Sequence, residues 1–546
     1  MSNVVNLNQR GAQRPPGPRP KTADRRIRPT IAVDEVDLHE TTPQVLAAIK
    51  EGPLGKEIYV HDTTLVRGRV NRRSGVVRLV RLGVDELRHV AARSARFVKT
   101  DRDGGETSVP PPAVIMRDVL VHPDSGFPVL ERIAVCPFFD ASGELIVEPG
   151  YHAESLTYLA LPRDFEMPEV PLTPTREQVT EATAILASFV SGFPFAQRAS
   201  KANWLSMALV PIIMHLFHGR SPLFAILANM PGTGKTLLIN VTALAVTGQN
   251  ARLMTFSRNE DEYRKKITSA LIQGLNYIVL DNLVGKIDMP SMASDITNEL
   301  IADRLLGSSK ILELLNFAVR VVTGNNVLFS TELARRIVLI ALDAGLENPW
   351  QRDLETFEHP DLVGWVRANR GAIIWALCVF VTNWLSKGKP SADVPPIGGF
   401  ESWCAVTAGI LAAATPEGQT AFLGNLAEFY RQGDEEGTEV RGLVARWWHR
   451  FGTDPVGVTD LFDMAVMGGV DLDLGSGNDR SQRIRFGRFL GSLNGRWVGA
   501  LRISSCGSRR GSRMWRLFYP DAEAEAETAE SGPSGETESE EGKKEE

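Results

Sequence analysis

An eight-residue stretch, 229–236, contains the residue types that phosphate binding requires. It reads Asn-Met-Pro-Gly-Thr-Gly-Lys-Thr and separates an apolar strand-like run, Leu223–Ala228, from a helix-like run, 237–246. Glycines in such a loop let backbone N–H groups approach phosphate oxygens, the helix N-terminus adds positive potential, Lys235 reaches the outer phosphates and Thr236 can hold Mg²⁺. The candidate residues for binding a nucleoside triphosphate are Asn229, Pro231, Gly232, Thr233, Gly234, Lys235 and Thr236.

One residue departs from the usual phosphate-loop pattern, G-x-x-x-x-G-K-[ST]. Asn229 stands where the pattern has its first glycine. Asparagine is among the residues most tolerant of a positive φ, so the departure weakens the match only slightly. The alternative interpretation, a glycine-rich turn that binds nothing, is disfavoured by the strand before the loop and the helix after it.

An aspartate ends a second apolar run. Asp281 follows Tyr-Ile-Val-Leu at 277–280, where a carboxylate can hold the waters of a Mg²⁺ ion that bridges phosphates. The alternative role for Asp281 is to cap the next turn. Its neighbour is Asn282, where many phosphate-loop ATPases have a glutamate that orients the attacking water, so hydrolysis is less secure than binding. Weaker candidates for a replacement base are Glu260, Asp261 and Glu262.

Amide and guanidinium groups follow further along the chain. A third apolar run ends in Thr323-Gly324-Asn325-Asn326, where Asn325 or Asn326 could hydrogen-bond the attacking water or the γ-phosphate. Gly-Asn-Asn is also a common turn sequence. Arg335 and Arg336 come next and would stabilise transition-state charge if they faced a neighbouring subunit's phosphates. A surface arginine pair is the alternative.

These residues need a sheet that gathers them. From 221 to 344, strand-like runs alternate with helix-like runs, which is the pattern of a parallel sheet covered by helices. We predict strands at 224–228, 253–256, 277–280, 318–323 and 337–341, and helices at 235–246 and 260–271. Ligands of such sheets bind beyond the carboxyl ends of the strands, so the polar residues should meet at one edge. Helices at 176–189 and 201–217 should pack against this core.

Together these motifs resemble the AAA+ ATPase module of phage and integrative-element primase-helicase proteins, a group related to the superfamily III helicases of small viruses. The resemblance spans roughly residues 200–430 and also includes Glu332-Leu333-Ala334 before the arginine pair, the run Leu342-Asp343-x-x-x-Glu347-Asn348-Pro349-x-x-Arg352, and Gly398-Gly399-Phe400-Glu401-Ser402-Trp403. A fainter similarity reaches 149–152. The resemblance implies a ring-forming, ATP-driven motor on single-stranded or forked DNA, with ATP and Mg²⁺ as ligands.

The resemblance also implies roles for individual residues. Lys235 and Thr236 would hold phosphate and Mg²⁺, and Asp281 would be the second metal residue. Asn325 or Asn326 would be the sensor, and Arg335 or Arg336 the finger that acts in trans. Asn229 and Asn282 depart from the family pattern and put the turnover rate in doubt more than nucleotide binding. No primase motif is evident in the sequence, so a separate primase would have to supply primers.

The implied motor also needs contacts with DNA. These helicases carry a hairpin before the sensor strand, and 304–312 has two apolar arms around a Gly-Ser-Ser-Lys turn, which makes Lys310 a candidate phosphate contact or an ordinary exposed lysine.

Residues 438–519 have a different charge pattern. Ten arginines and no acidic residue lie from Arg480 to Arg516. Helix-like runs at 440–451, 458–466 and 481–493 precede two β-like arms, 498–504 and 513–519, which is the outline of a winged helix. A solvated charged face is the alternative, but the absence of acid favours nucleic-acid binding. The DNA-binding candidates are Lys310, Arg483, Arg485, Arg488, Arg509, Arg510 and Arg513.

Composition sets the remaining expectations. The 546 residues carry a net charge of −6, but a basic, proline-rich arm precedes residue 46 and a glutamate-rich tail follows 519. We predict a disordered arm at 1–45, a small α+β domain at 46–166, a linker and helical lead-in at 167–220, an α/β P-loop AAA+-like core at 221–344, a helical lid at 345–432, a winged-helix-like domain at 438–519 and a disordered tail at 520–546. Four scattered cysteines and the absence of a long apolar segment predict a cytoplasmic protein without a membrane span.

Three classes of function stay open from the sequence. The first is an ATP-dependent DNA helicase or translocase of mobile-element replication. The second is an ATP-gated initiator or helicase loader with slow hydrolysis, for which Asn282 is the main support. The third is an interaction scaffold with a degenerate nucleotide site.

Overall fold

The chain has three main hydrophobic cores, which divide it into an N-terminal, a central and a C-terminal part. The computed structural model describes residues 28–70, 77–122, 124–304, 311–415, 418–433, 435–470, 478–509 and 512–519. The predicted disordered tail at 520–546 and the first 27 residues of the predicted arm lie outside this range.

The N-terminal part mixes short sheets with three helices that pack on one another. Its helices are α1 (Leu38–Glu51), α2 (Val84–Ser94) and α3 (Ala113–Val121), with a 3₁₀ turn at Gly55–Glu57. Its strands are β1 (Thr30–Ala32), β2 (Ile58–His61), β3 (Thr64–Val70), β4 (Val77–Arg81), β5 (Arg96–Thr100), β6 (Glu106–Val109), β7 (Arg132–Ala134), β8 (Phe138–Phe139), β9 (Leu145–Ile146), β10 (Gly150–His152) and β11 (Thr157–Leu159). They form sheets in the orders β1-β5-β6, β2-β3-β4, β10-β11-β7 and β8-β9.

The predicted arm boundary at residue 45 is wrong. Strand β1 and the first half of α1 lie within the segment that the prediction left disordered. Asp37 caps α1 by accepting the His39 N–H at 2.9 Å, and Val45, Leu46 and Ile49 are buried. Burial of these apolar side chains stabilises the folded segment, although the arm as a whole is rich in arginine and proline.

A five-stranded parallel sheet forms the centre of the chain, as the alternating pattern predicts. The elements from the lead-in onward are α4 (Arg176–Phe189), α5 (Arg198–Ile213), β12 (Leu223–Ala228), α6 (Lys235–Thr247), β13 (Leu253–Thr255), α7 (Glu260–Ile272), β14 (Tyr277–Ile287), α8 (Pro290–Thr297), β15 (Leu300–Arg304), β16 (Ile311–Leu315), β17 (Val319–Phe329), α9 (Thr331–Ala334) and β18 (Ile337–Leu342). The sheet order is β13-β14-β17-β12-β18, and every pairing is parallel. Helices α4 and α5 share its core, as expected.

A hairpin, separate from the five-stranded sheet, lies between α8 and β17 in the chain. Strands β15 and β16 pair antiparallel, from Leu300 opposite Leu315 to Arg304 opposite Ile311. The predicted hairpin is therefore present at this place in the chain. Residues 305–310, which include the candidate Lys310, lie outside the described residues.

Helices complete the central core after the sheet. They are α10 (Leu362–Ala368), α11 (Arg370–Ser386), α12 (Glu401–Ala413) and α13 (Leu426–Gly433), preceded by 3₁₀ turns at Pro349–Gln351 and Leu354–Thr356. Trp375, Phe380 and Trp384 of α11 are buried. Within the described residues, no single helix combines the length and apolarity of a membrane crossing, although α10 and α11, bent by 70°, meet those criteria as a pair.

The C-terminal part is a separate small core. Its elements are α14 (Glu435–Phe451), β19 (Val456–Gly457), α15 (Val458–Met467), α16 (Asp479–Ser492), β20 (Trp497–Val498), β21 (Leu501–Arg509) and β22 (Ser512–Phe518). The strands form an antiparallel sheet in the order β19-β22-β21-β20. Trp447, Phe486 and Trp515 fill its core. Helix α14 begins five residues before the predicted 440.

A buried ion pair stabilises the central core beneath the hairpin. Arg320 donates to both oxygens of Asp295 at 2.7 and 2.8 Å, and the Tyr263 hydroxyl donates to the same carboxylate at 2.9 Å. Arg320 and Asp295 are 2% and 6% exposed, so neither charge is screened by solvent.

We expect Asp295→Ala to destabilise the chain by about 3–5 kcal/mol, because it leaves Arg320 charged, buried and unpaired. The measurement is the urea or thermal midpoint of unfolding. Asp261→Ala is the matched control, since it removes an exposed carboxylate whose partner is Arg264 on the same helix. Equal midpoints for the two variants would show that the pair is not a stabilising unit.

Candidate functional site

The loop 229–234 joins the carboxyl end of β12 to the first turn of α6. Gly232 and Gly234 have φ of 77° and 99°, which an L-residue rarely adopts, and a side chain at Gly232 would collide with Trp350. Asn229 does not adopt a positive φ, so the glycine of the usual pattern is not required there. The N–H groups of the first turn of α6 have no intrahelical partner and are placed to bind an anion.

Lys235 is held inside this loop rather than extended into solvent. It is 8% exposed, and its Nζ donates to Asn325 Oδ1 at 2.6 Å and to Thr233 Oγ1 at 3.4 Å. Burial lowers the pKa of the ammonium from its ordinary value, and the charge of Asp281 partly opposes this. Among the described residues, no carboxylate forms an ion pair with this ammonium, whose two hydrogen-bond partners are neutral.

Asp281 lies across the loop from Lys235 and faces Thr236. Thr236 Oγ1 donates to Asp281 Oδ1 at 3.2 Å, and the Thr323 hydroxyl donates to the same oxygen. The register of β14 against β17 shifts between Leu280 and Leu283, so a bulge turns Asp281 towards the loop. A hydroxyl and a carboxylate at this separation are hard oxygen donors that fit Mg²⁺, which keeps several of its waters.

Asn282, at the position of the expected glutamate, has an exposed side chain. Its φ is 64°, and its N–H donates to Thr323 Oγ1 at 3.3 Å. The three acids considered as replacements are already engaged on α7. Asp261 and Glu262 pair with Arg264 and Lys265, and Glu260 accepts from the Ser291 N–H.

The two asparagines at the bend of β17 have different surroundings. Asn325 pairs in register with Ala228 at the end of β12 and accepts the Lys235 bond. Asn326 is exposed and donates from Nδ2 to the Asn229 carbonyl at 3.3 Å. Because β17 lies between β12 and β14, Asn325 stands between the loop and Asp281, whereas Asn326 braces the start of the loop.

Arg352 and Trp350 contact the loop and were not among the predicted site residues. Arg352 donates to the carbonyls of Thr233 and Gly192 at 3.3 and 3.1 Å, and burial lowers its pKa. Trp350 packs its Cβ against Gly232 and is 57% exposed. The sequence signal was the run that ends in Asn348-Pro349-x-x-Arg352, but nothing in it indicated contact with a loop about 120 residues earlier.

The arginine pair lies at the amino ends of the strands, opposite the end where the loop is. The Arg336 carbonyl accepts the Leu223 N–H at 3.0 Å, so the pair is at the amino end of β12. Six residues of β18 span about 17–20 Å, which places both arginines far from the loop of their own chain. Both pair with Glu332, and Arg335 has a side chain 58% exposed whereas Arg336 is at 14%.

The basic face of the C-terminal part is formed by α16 and the β21–β22 hairpin. Arg488, Arg509 and Arg513 are exposed, and Arg485 donates to Ser481 Oγ at 2.9 Å. Arg510 lies outside the described residues. Arg483 differs from the others, because it pairs with Asp463 and Asp479 at 2.6 and 2.8 Å and stacks on Phe462.

Arg483 is therefore a weaker candidate for a phosphate contact than the exposed arginines, and its role in DNA binding stays a prediction. Two carboxylates already pair with its guanidinium. Asp463 belongs to α15, so the count of acids between 480 and 516 did not include it.

Comparisons with known proteins add little to this geometry. No protein-family model matches the chain, and a search of curated proteins found no significant match. Among solved structures, the chain is similar to the A form apo structure of the NrS-1 C-terminal region, with 11% sequence identity and a TM-score of 0.36. That match covers 83% of this chain and 96% of the other. A similarity at this level assigns the chain to no family.

Proposed function

We propose that residues 221–344 are a P-loop ATPase core of the AAA+ type, and that the chain is an ATP-dependent DNA helicase or translocase of phage or mobile-element replication. The observation that carries the proposal is that four side chains lie close together at the carboxyl ends of the strands. Lys235 bonds to Asn325, and Thr236 bonds to Asp281. Phosphoryl transfer needs this set: a cation for the phosphates, two oxygens for Mg²⁺ and an amide for the γ-phosphate or water.

Each side chain then has a defined task. Backbone N–H groups of 232–236 and Lys235 Nζ would hold the β- and γ-phosphates, and Thr236 with Asp281 would hold Mg²⁺. Mg²⁺ would neutralise charge that develops on the phosphate oxygens. Thr323 donates to the Asp281 carboxylate and orients it, and Asn325, bonded to Lys235, would bind the γ-phosphate or the attacking water. Arg352, bonded to the Thr233 carbonyl, keeps the loop in shape.

The position of Arg335 supports the proposal of ring assembly. The arginine is exposed and lies at the strand end opposite its own loop, so a role in catalysis would require the nucleotide of a neighbouring subunit. A homo-oligomeric ring would supply that neighbour. The β15–β16 hairpin and the arginines of the C-terminal winged-helix-like part would contact DNA, and a separate primase would provide primers. Cytoplasmic DNA is the substrate in this proposal.

A slowly hydrolysing initiator or helicase loader is the second candidate. Asn282 occupies the place of the expected glutamate and is exposed, while the three acids of α7 are engaged elsewhere. Such a protein would bind ATP and DNA but release phosphate slowly.

Steady-state phosphate release with and without single-stranded DNA separates these functions. The helicase proposal predicts turnover that rises with DNA and strand displacement on a forked substrate. The loader predicts ATP binding, slow turnover and no displacement. If the chain binds DNA but neither binds nor hydrolyses ATP, both the helicase and the loader proposals are contradicted. The interaction scaffold with a degenerate nucleotide site is then the function that remains.

A further inference from the structure

The outer face of the C-terminal sheet carries a row of stacked side chains that the proposed function does not use. Trp497 on β20 is opposite Arg502 on β21, and Arg502 is opposite Phe518 on β22. Side chains opposite each other in an antiparallel sheet lie on the same face, so the three form one line across it. The residues next to them, Ile503 and Leu517, point to the other face and are fully buried in the core.

The row is held together by its own contacts, with the Trp497 and Phe518 rings packed edge to face at 78°. The Arg502 guanidinium lies 4.5 Å from the Phe518 ring centroid and 5.6 Å from that of Trp497, and the two rings are 6.4 Å apart. Its Nε is buried and makes no hydrogen bond. A guanidinium packed against two rings that also contact each other gains cation–π attraction but keeps little freedom to pair with a carboxylate. The row is thus ordered before any partner arrives.

The indole at the end of the row is available for a partner. Trp497 is 51% exposed, so about half of a large apolar side chain is left in contact with water, which is unfavourable on a small domain. Arginines predominate in this part of the chain, since the described residues of 478–519 contain nine arginines and one aspartate. One of the nine, Arg483, pairs with the carboxylates of Asp463 and Asp479. A partner must therefore offer flat, apolar surfaces joined by negative charge.

We propose that this face binds single-stranded DNA by stacking unpaired bases on Trp497 and the Arg502–Phe518 pair. Proteins that bind single strands combine a positive surface that follows the backbone with aromatic rings on which bases stack. Bases inside a duplex are stacked on one another and do not offer their faces, so the row selects unpaired DNA. The inference deepens the proposed DNA binding of this part of the chain and gives it a surface distinct from α16.

The test compares full-length variants by anisotropy of a labelled oligo-dT at fixed salt. Trp497→Ala should weaken binding about 5- to 100-fold, the range of one lost base stack. Trp497→Phe keeps a ring and should lose less. Trp448→Ala is the matched control, because Trp448 is 41% exposed on α14 but contacts Tyr519 instead of the row. It should bind as the unsubstituted chain does.

An abasic strand of equal length separates stacking from charge. It keeps the phosphates and lacks the bases, so Trp497→Ala should bind it as well as the unsubstituted chain does. Three results would overturn the inference while leaving DNA binding by the arginines intact. The first is an equal loss of affinity of Trp497→Ala for the oligo-dT and the abasic strand. The others are a loss for Trp448→Ala equal to that for Trp497→Ala, and full affinity of Trp497→Ala for oligo-dT. An unsubstituted chain that binds neither strand would instead contradict the proposed function. If Trp497→Ala melts at a lower temperature than the unsubstituted chain, Trp497→Phe and Phe518→Leu are measured in its place. Undiminished affinity of both variants for oligo-dT overturns the inference.

Discussion

Replacing Lys235 with alanine is expected to lower ATP turnover by at least about 10²–10³-fold, the cost of removing one preorganised charged donor from a phosphoryl-transfer site. The Lys235 ammonium is buried between Asn325 and Thr233, so no other described cation replaces it at that point of the loop. ATP affinity should fall as well, because the ammonium contacts the phosphates before the transition state. Phosphate release and binding of a fluorescent ATP analogue measure the two effects.

The control for this substitution is Lys201→Ala, which removes an exposed lysine from α5. It should keep both turnover and affinity. Lys235→Ala also has to melt at the same temperature as the unsubstituted chain for the comparison to count. Turnover that survives in Lys235→Ala would mean that the loop is not the catalytic site.

Replacing Arg335 with alanine should lower turnover by about 10³–10⁵-fold while leaving ATP affinity nearly unchanged. Arg335 precedes β18, whose six residues span about 17–20 Å, at the strand end opposite the loop, so we expect it to contribute to a neighbour's transition state and not to its own nucleotide binding. Arg335→Lys should recover only part of the rate, because lysine lacks the planar fork of arginine. Arg335 is the better candidate of the pair, since Arg336 is mostly buried.

Mixing two inactive variants tests whether Arg335 acts across a subunit boundary. In a mixed ring, Lys235→Ala subunits supply Arg335 to the intact loops of Arg335→Ala subunits. The mixture should then hydrolyse ATP faster than either variant alone. A mixture that stays as inactive as its components would contradict action in trans.

The sequence was most informative where one segment sets its own structure. Helix α4 begins and ends where the pattern predicts, at Arg176 and Phe189, because Thr175 caps it and its apolar face is regular. The five central strands were found because each is an apolar run between polar ends. Strand β3 carries a weak sequence signal, since Arg67, Gly68 and Arg69 interrupt its apolar residues, and its pairing with β2 and β4 compensates.

The site was predictable as a set of residues but not as a set of contacts. Lys235, Thr236, Asp281 and Asn325 follow from motif and strand order. The bond from Arg352 to the loop, the pairing of Arg483 with Asp463, and the stacking of Arg502 on Phe518 join residues that are distant or separated by a turn. Tertiary packing decides such contacts, and single-sequence patterns carry no record of it.

The most direct test of this account is a calorimetric titration of the full chain with ATP, once with Mg²⁺ and once with a chelator. The account predicts one saturable site per chain, with tighter binding when Mg²⁺ is present, because Thr236 and Asp281 hold the ion against the phosphates that Lys235 binds. Binding that is absent, or the same with and without Mg²⁺, would contradict the claim that these three residues hold a magnesium–nucleotide complex.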